Sequence, residues 1–201
     1  MAGISMTVDD MLAAVEKDRI FYEESGGGVT FSGGEPLMQA DFLRACLAAC
    51  RERGLRTAVD TCGHAPTAAV PDVASATQLF LFDLKLMDDA RHRKLLGVSN
   101  RLVLDNARAL SDRGAAMWLR VPLLPGVNDD EENLAATAAF ARSLASVEQV
   151  NVLPYHRTGS GKYQRLGRPD EMDGQSEPTP ERMAEAVARF SSAGLTVKVG
   201  G

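Results

Sequence analysis

Between Gly26 and Pro36 the chain reads Gly-Gly-Gly-Val-Thr-Phe-Ser-Gly-Gly-Glu-Pro. A β-rich run, Val29–Ser32, enters the glycine pair Gly33-Gly34. A carboxylate, Glu35, and a proline suited to open a helix, Pro36, follow. Two adjacent glycines let a ligand approach the main chain closely. Glu35 then sets an acceptor above the strand end, where it can hold an ammonium group. An ordinary β-to-α turn with a solvated glutamate carries the same short signature, so the assignment depends on what stands elsewhere in the chain.

Elsewhere, polar groups gather just past other strand-like runs: Asp60 and Thr61, Asp83 and Lys85, Arg120 and Asn128, and finally His156. In a parallel sheet or barrel all the C-terminal strand ends open on one face, where ligands bind. Taken singly, each residue has a plainer reading: an aspartate after a strand often caps the next helix, and a lone lysine or histidine is usually solvated. Five strand ends in succession are a stronger signal than any one of them. The set suits a zwitterionic ligand that carries a ribose. Glu35 and the Gly33-Gly34 backbone would hold an α-amino group, while Lys85 and Arg120 would meet a carboxylate through charge-assisted bonds. Asp60 and Asp83 would accept from hydroxyls or bind a hard cation.

The elements that position these residues alternate strand and helix. Thr7 and Asp10 form a capping-box pattern, and Val8, Met11, Leu12 and Val15 follow at helical spacing, predicting a helix to about Tyr22 or Glu23. Strands are predicted at Val29–Ser32, Leu55–Asp60, Leu79–Leu84, Met117–Val121, Gln149–Leu153 and Leu195–Val199. Helices are predicted at Asp41–Arg53, Asp89–Leu96, Asn100–Arg113 and Glu131–Leu144, with a last one capped by Thr179. Pro66–Ala76 reads as a short alanine-rich connection, and Arg157–Glu177 as the long irregular stretch. The strands are near-continuous apolar runs, as expected of parallel strands covered on both faces. This is an α/β chain with no internal repeat. Its 201 residues suit one domain.

A net charge of −5 disfavours non-specific nucleic-acid binding. No apolar run is long enough to span a bilayer, and Met1–Val8 has neither the basic start nor the apolar core of a signal peptide. The cytoplasm is the expected compartment. Cys46 and Cys50 share an apolar helical face with Leu43 and Leu47 and read as buried thiols. Their C-x3-C spacing invites an iron–sulfur reading, but Arg53 stands where a third thiolate would be needed. Cys62 is alone. The histidines, His64, His92 and His156, do not fall at metal-site spacing.

The order of motifs resembles the glycyl-radical-enzyme activating enzymes of the radical S-adenosyl-L-methionine (SAM) superfamily, the pyruvate formate-lyase activating type. The resemblance runs from about Met6 onward. It is carried by Phe21-Tyr22, Ser25–Leu37, Asp60-Thr61-Cys62-Gly63, Asp83-Leu84-Lys85, and His92 with Gly97–Asn100. Arg120-Val121-Pro122, Pro125–Asp129, Leu153–His156 and Gly161-Lys162-Tyr163 continue it. It implies a partial, open (β/α) barrel. It also implies reductive cleavage of SAM by a 4Fe-4S iron–sulfur cluster, giving a 5′-deoxyadenosyl radical that takes hydrogen from a glycine of a partner enzyme. On this resemblance Gly33, Gly34 and Glu35 bind the methionine end of SAM. Asp60, Thr61 and Asp83 shape its carboxylate region with or without a monovalent cation, and Lys85, Arg120 and His156 line the pocket. His92 and Asn100 would serve the partner loop or the structure. A flavodoxin or ferredoxin would supply the electron.

One departure accompanies the match. The family's C-x3-C-x2-C loop stands on a first strand ahead of the region seen here, and Met1–Met6 carries nothing like it. The expectation is therefore a truncated single domain, 1–201, of the radical SAM type with first strand and cluster loop missing. A cluster-less module that binds SAM or a partner is the alternative, and an α/β enzyme using its strand-end carboxylates for acid–base work is a third reading. Loss of a strand beside Val29–Ser32 would leave an edge open to self-association. Anaerobic reconstitution of this chain with iron and sulfide is expected to give no stoichiometric cluster. An absorbance and iron-counting signal that vanishes on mutating Cys46 and Cys50 would contradict the buried-thiol reading.

Overall fold

The computed structural model describes residues 4–156 and 174–200. Its centre is one sheet of six parallel strands: β1 (Val29–Phe31), β2 (Thr57–Thr61), β3 (Leu79–Asp83), β4 (Met117–Leu123), β5 (Val147–Pro154) and β6 (Val197–Val199). They lie side by side in chain order, every pair parallel. That order has no reversal point. It is the open, singly wound barrel arrangement that the sequence predicted.

Helices connect the strands: α1 (Val8–Val15), α2 (Arg19–Ser25), α3 (Ala40–Glu52), α4 (Val70–Ala76), α5 (Asp89–Leu96), α6 (Arg101–Ser111), α7 (Glu131–Ser143) and α8 (Pro180–Ser192). Capping side chains start several of them. Thr7 makes the predicted capping box with Asp10, and Asp88, Asp130 and Thr179 each accept from a first-turn backbone N–H. The Pro66–Ala76 connection is a 3-10 turn followed by α4.

The expectation of strands covered on both faces does not hold. Burial alternates along β2, β3 and β4, with Thr57, Val59, Phe80, Phe82, Met117, Leu119, Val121 and Leu123 buried and their neighbours half-buried. The apolar core lies on one face of the sheet, where these side chains pack with Leu47, Val73, Leu110, Leu134 and Phe190 of the helices. Burying each such side chain contributes roughly 1.5–3 kcal/mol. The opposite face presents Asp60, Asp83 and Arg120. The strands look continuous in sequence because apolar residues such as Leu79 and Leu81 also occupy the half-open face.

The predicted helix from Val8 to Tyr22 is broken. A 3-10 turn at Glu16–Asp18 separates α1 from α2. At the break Glu16 accepts from Arg19 at 2.6 and 2.8 Å, and Arg19 donates to the Arg53 carbonyl at 3.0 Å, covering the end of α3. This tie holds the N-terminal helices against α3 and closes a second, smaller core of Met11, Leu12, Val29, Cys46, Cys50 and Leu55. Cys46 and Cys50 are fully buried there, as predicted, and burial pushes the Cys50 thiol up to about 11. The N-terminal helices join the helix layer and do not pair with β1. Among the described residues β1 has a hydrogen-bonded strand neighbour on one side only.

Loop geometry beside α5 rests on Asp89. Its carboxylate accepts from Ser99 Oγ at 2.5 Å, from Arg93 Nε at 3.0 Å and from the Asn100 backbone N–H at 3.0 Å. The Ser99 bond, with Arg93, pulls its pKa from an ordinary 3.8 to about 2. A depressed folded-state pKa gives stability that is present above the unfolded value and lost as pH falls through the folded one. Urea unfolding should therefore show stability decreasing from pH 4 toward about pH 2. Asp89→Asn should flatten that part of the profile, and an unchanged slope would contradict the assignment.

Candidate functional site

Beyond β1 the chain passes through Gly33 and Gly34, with φ of 96° and 56°. These left-handed angles disfavour side chains. A Cβ built at either glycine meets no atom within 4 Å, so the turn presents open main chain at the strand end. Glu35 follows and caps the 3-10 turn Pro36–Gln39, accepting from Leu37 N–H at 3.0 Å.

The Glu35 carboxylate also reaches across to the end of β2. Oε1 accepts from the Thr61 hydroxyl at 2.6 Å, and Oε2 accepts from Cys62 N–H at 2.9 Å and from the Cys62 thiol at 3.1 Å. A carboxylate offers about four lone-pair sites, and four protein donors use them. Glu35 is thus a fixed, already hydrogen-bonded group rather than a free side chain. Burial, followed by the bond to Glu35, raises the Cys62 thiol pKa, which keeps it a donor.

On the same side of the sheet Arg120 lies between Asp60 and Asp83. Its Nε donates to Asp83 at 2.8 Å and its Nη2 donates to Asp60. All three side chains are about one-fifth exposed (18–23%), a half-buried setting in which an unpaired charge is costly. Burial raises the Asp83 pKa, and the Arg120 and Lys85 charges offset only part of that. Burial also works against the Arg120 charge, but Asp83 and Asp60 outweigh it and hold the guanidinium pKa up. The sequence paired Arg120 with a ligand carboxylate, whereas in the structure it serves the two aspartates.

Lys85 follows directly after this group and has no ion-pair partner among the described residues. It lines a cavity of about 220 Å3 with Cys62, His64, Asp83, His92 and Leu96. A larger cavity, about 460 Å3, opens at the opposite strand ends around Gly26–Thr30 and Trp118. The convergence of charged groups, not volume, places the candidate site at the C-terminal ends.

Three of the other predicted polar residues, Asn128, His92 and Asn100, take structural positions. Asn128 is 1% exposed and joins three backbones, accepting from Leu124 N–H and donating to the Lys85 and Pro122 carbonyls. His92 is buried with Nδ1 2.7 Å from the Val98 carbonyl, and Asn100 donates to the Leu86 and Met87 carbonyls. His156 is exposed, its Nδ1 3.2 Å from Glu177. Gly161-Lys162-Tyr163 and most of Arg157–Glu177 lie outside the described residues. Sequence reasoning missed two participants: Cys62, set aside as a lone thiol, and Asn106, which donates to the Gly63 and Ala65 carbonyls. The adjacency of Cys62 to Thr61 was the available signal for the first.

The open Gly33-Gly34 backbone beside a fixed carboxylate fits the amino-acid end of a SAM-like ligand. The described residues do not fit an iron–sulfur cluster: two thiols are sealed in α3, and no group of three His, Cys, Asp or Glu residues stands where a metal could be held.

Comparison with known proteins shows the family and the fold. Residues 2–138 match the Radical SAM superfamily. The chain is 40% identical to the trans-4-hydroxy-L-proline dehydratase activating enzyme of Clostridioides difficile, over 100% of this chain and 67% of that protein. It is 39% identical to the choline trimethylamine-lyase activating enzyme of Oleidesulfovibrio alaskensis, over 94% and 63%. It is 36% identical to the pyruvate formate-lyase 1-activating enzyme of Escherichia coli, over 90% and 74%. The chain thus spans about two thirds of the length of these relatives. A crystallised domain of a pyruvate-formate lyase-activating enzyme from Bacteroides vulgatus superposes with a TM-score of 0.74 at 35% identity, over 87% of this chain and 99% of that one. A radical SAM methyltransferase from Sphaerobacter thermophilus shares the fold, with a TM-score of 0.72 at 19% identity. The chain belongs to the radical SAM superfamily, among relatives that are glycyl-radical-enzyme activating enzymes.

Proposed function

We propose that this chain is the SAM-binding core of a glycyl-radical-enzyme activating enzyme. The carrying observation is the junction of the open Gly33-Gly34 turn with a Glu35 carboxylate fixed by four donors. In this reading the turn and Glu35 receive the ammonium of the methionine end, its N–H taking the place of the Cys62 thiol, the weakest of the four donors, on Oε2, with Thr61 holding Glu35 in place. Lys85 is the cation that meets the carboxylate. Arg120 holds Asp60 and Asp83 side by side at the ribose end, and His156 closes the rim with Glu177. SAM, when bound, would supply the adenosyl group that the superfamily's chemistry uses; the part of this chain's own residues is to bind and orient it, since no group among the described residues is placed to hold a cluster.

The partner is a glycyl-radical enzyme, and a flavodoxin or ferredoxin is the electron source, in a cytoplasmic setting. No helix among the described residues is long and apolar enough to cross a membrane. A second reading, a module that binds SAM or the partner without the chemistry, is favoured by the sealing of Cys46 and Cys50 in α3.

Calorimetry with S-adenosylhomocysteine tests the site. The chain should bind it, and Glu35→Ala should weaken binding by about 1.5–3 kcal/mol, the value of a charge-assisted hydrogen bond. Undiminished affinity in a folded Glu35→Ala protein would remove Glu35 from the site. A second test addresses the unpaired side of β1, an edge that can template association. Sedimentation velocity should show concentration-dependent dimers, shifted toward monomer by Thr30→Lys, since Thr30 is the exposed residue of that strand. A monomer at all concentrations would refute edge association.

A further inference from the structure

We propose that Asn106 is a positioning residue for Glu35, acting through the Thr61–Ala65 turn. The proposal rests on the reading of Glu35 as a ligand-binding carboxylate. Asn106 stands on α6 and is fully buried, on the helix face that also carries Val103, Ala107 and Leu110. An apolar side chain would serve packing there, and a buried amide is costly unless bonded. Its Nδ2 donates to the Gly63 carbonyl at 2.7 Å and to the Ala65 carbonyl at 2.8 Å. Its Oδ1 has no hydrogen-bond partner among the described residues. The amide is therefore placed for its two donated bonds, even at the cost of an unsatisfied oxygen.

These bonds lead to Glu35 in two steps. Gly63 N–H donates to Thr61 Oγ1 at 2.8 Å, and the Thr61 hydroxyl donates to Glu35 Oε1 at 2.6 Å. Cys62, between them, supplies both donors to Oε2. Three of the four bonds on Glu35 thus come from two residues directly ahead of the clamped carbonyls. The turn lies close against β3. Gly63 has a φ of 70°, and a Cβ there would stand 2.3 Å from the Phe82 ring. Releasing the carbonyls leaves the segment free to relax away from α6, and the Thr61 and Cys62 donors move with it.

Asn106→Leu removes both donors at similar volume, and Asn106→Ser is the second variant should the first fail to fold. Two ligands separate positioning from general damage. S-adenosylhomocysteine has the amino-acid end that Glu35 would hold, whereas 5′-methylthioadenosine has the nucleoside and thioether without it. The variant should bind the first about tenfold more weakly, as expected for one misplaced charge-assisted bond, and the second unchanged. A reading independent of ligand comes from iodoacetamide labelling followed by mass spectrometry. Cys62 should alkylate several-fold faster in the variant while Cys46 and Cys50 stay protected.

Equal weakening of both ligands, or equal acceleration at all three thiols, would show general destabilisation and overturn the proposal. So would unchanged Cys62 labelling, whatever the ligands do. Unchanged S-adenosylhomocysteine affinity in the Asn106 variants, with Glu35→Ala still weakened, would overturn the role of Asn106 alone. Unchanged affinity in Glu35→Ala would overturn the reading of the site and, with it, this proposal.

Discussion

One guanidinium facing two carboxylates across three neighbouring strands sets the terms for the rest of the molecule. Asp60, Asp83 and Arg120 stand on β2, β3 and β4, with Asp83 and Arg120 direct partners in the ladder. Two carboxylates on adjoining strands need a shared partner, and burial already raises the Asp83 pKa. A planar fork reaches both at once, which a lysine ammonium would do less well. Removing one partner from such a buried arrangement costs about 3–5 kcal/mol in general, somewhat less where water still reaches. The requirement also fixes register. A slip of one residue in β4 would turn Arg120 into the helix layer and bring Leu119 or Val121 onto the open face.

That constraint explains the division of the sheet. Strands laid down in chain order place their helices on one side, so the apolar half of each strand finds a core and the other half lines a concave surface. The polar residues on that surface collect at the C-terminal ends, where Glu35 and the Gly33-Gly34 turn complete the group. The unlike treatment of three carboxylates follows from their neighbours. Asp60 and Asp83 share the Arg120 guanidinium, whereas among the described residues Glu35 has no cation in contact and is held by four neutral donors.

Much of this was legible in the sequence. Alternating strand and helix patterns located all six strands, and the buried face of α3 was visible in the spacing of Leu43, Cys46, Leu47 and Cys50. The set of strand-end polar residues was legible as a set, and the family from the order of its motifs. Individual roles were not. Arg120 was assigned to a ligand because nothing in a linear chain shows that Asp60, sixty residues earlier, occupies its guanidinium. Asn128 was counted with the strand-end polar groups, although its side-chain amide joins the Lys85 carbonyl to the Pro122–Leu124 segment in the core. The break after Val15 was invisible because it depends on Arg19 reaching the end of α3. In each case the missing information was a side-chain contact between distant segments, which periodicity does not encode.

The least supported strand carries the most exposed part of the site. β1 is three residues long, and among the described residues it has strand contact on one side. Val29 anchors it in the smaller core, but the Gly33-Gly34 turn beyond it packs against nothing that a Cβ would touch. Glu35 is what ties this turn to β2, through bonds made to Thr61 and Cys62 rather than through the ladder. A carboxylate so placed serves the fold and, in the proposed reading, the ligand as well. Any cation drawn to it binds the tied conformation, and by mass action stabilises the edge it is attached to. The coupling runs both ways: whatever steadies the Thr61–Ala65 turn steadies Glu35, and whatever steadies Glu35 holds the end of β1 to the sheet.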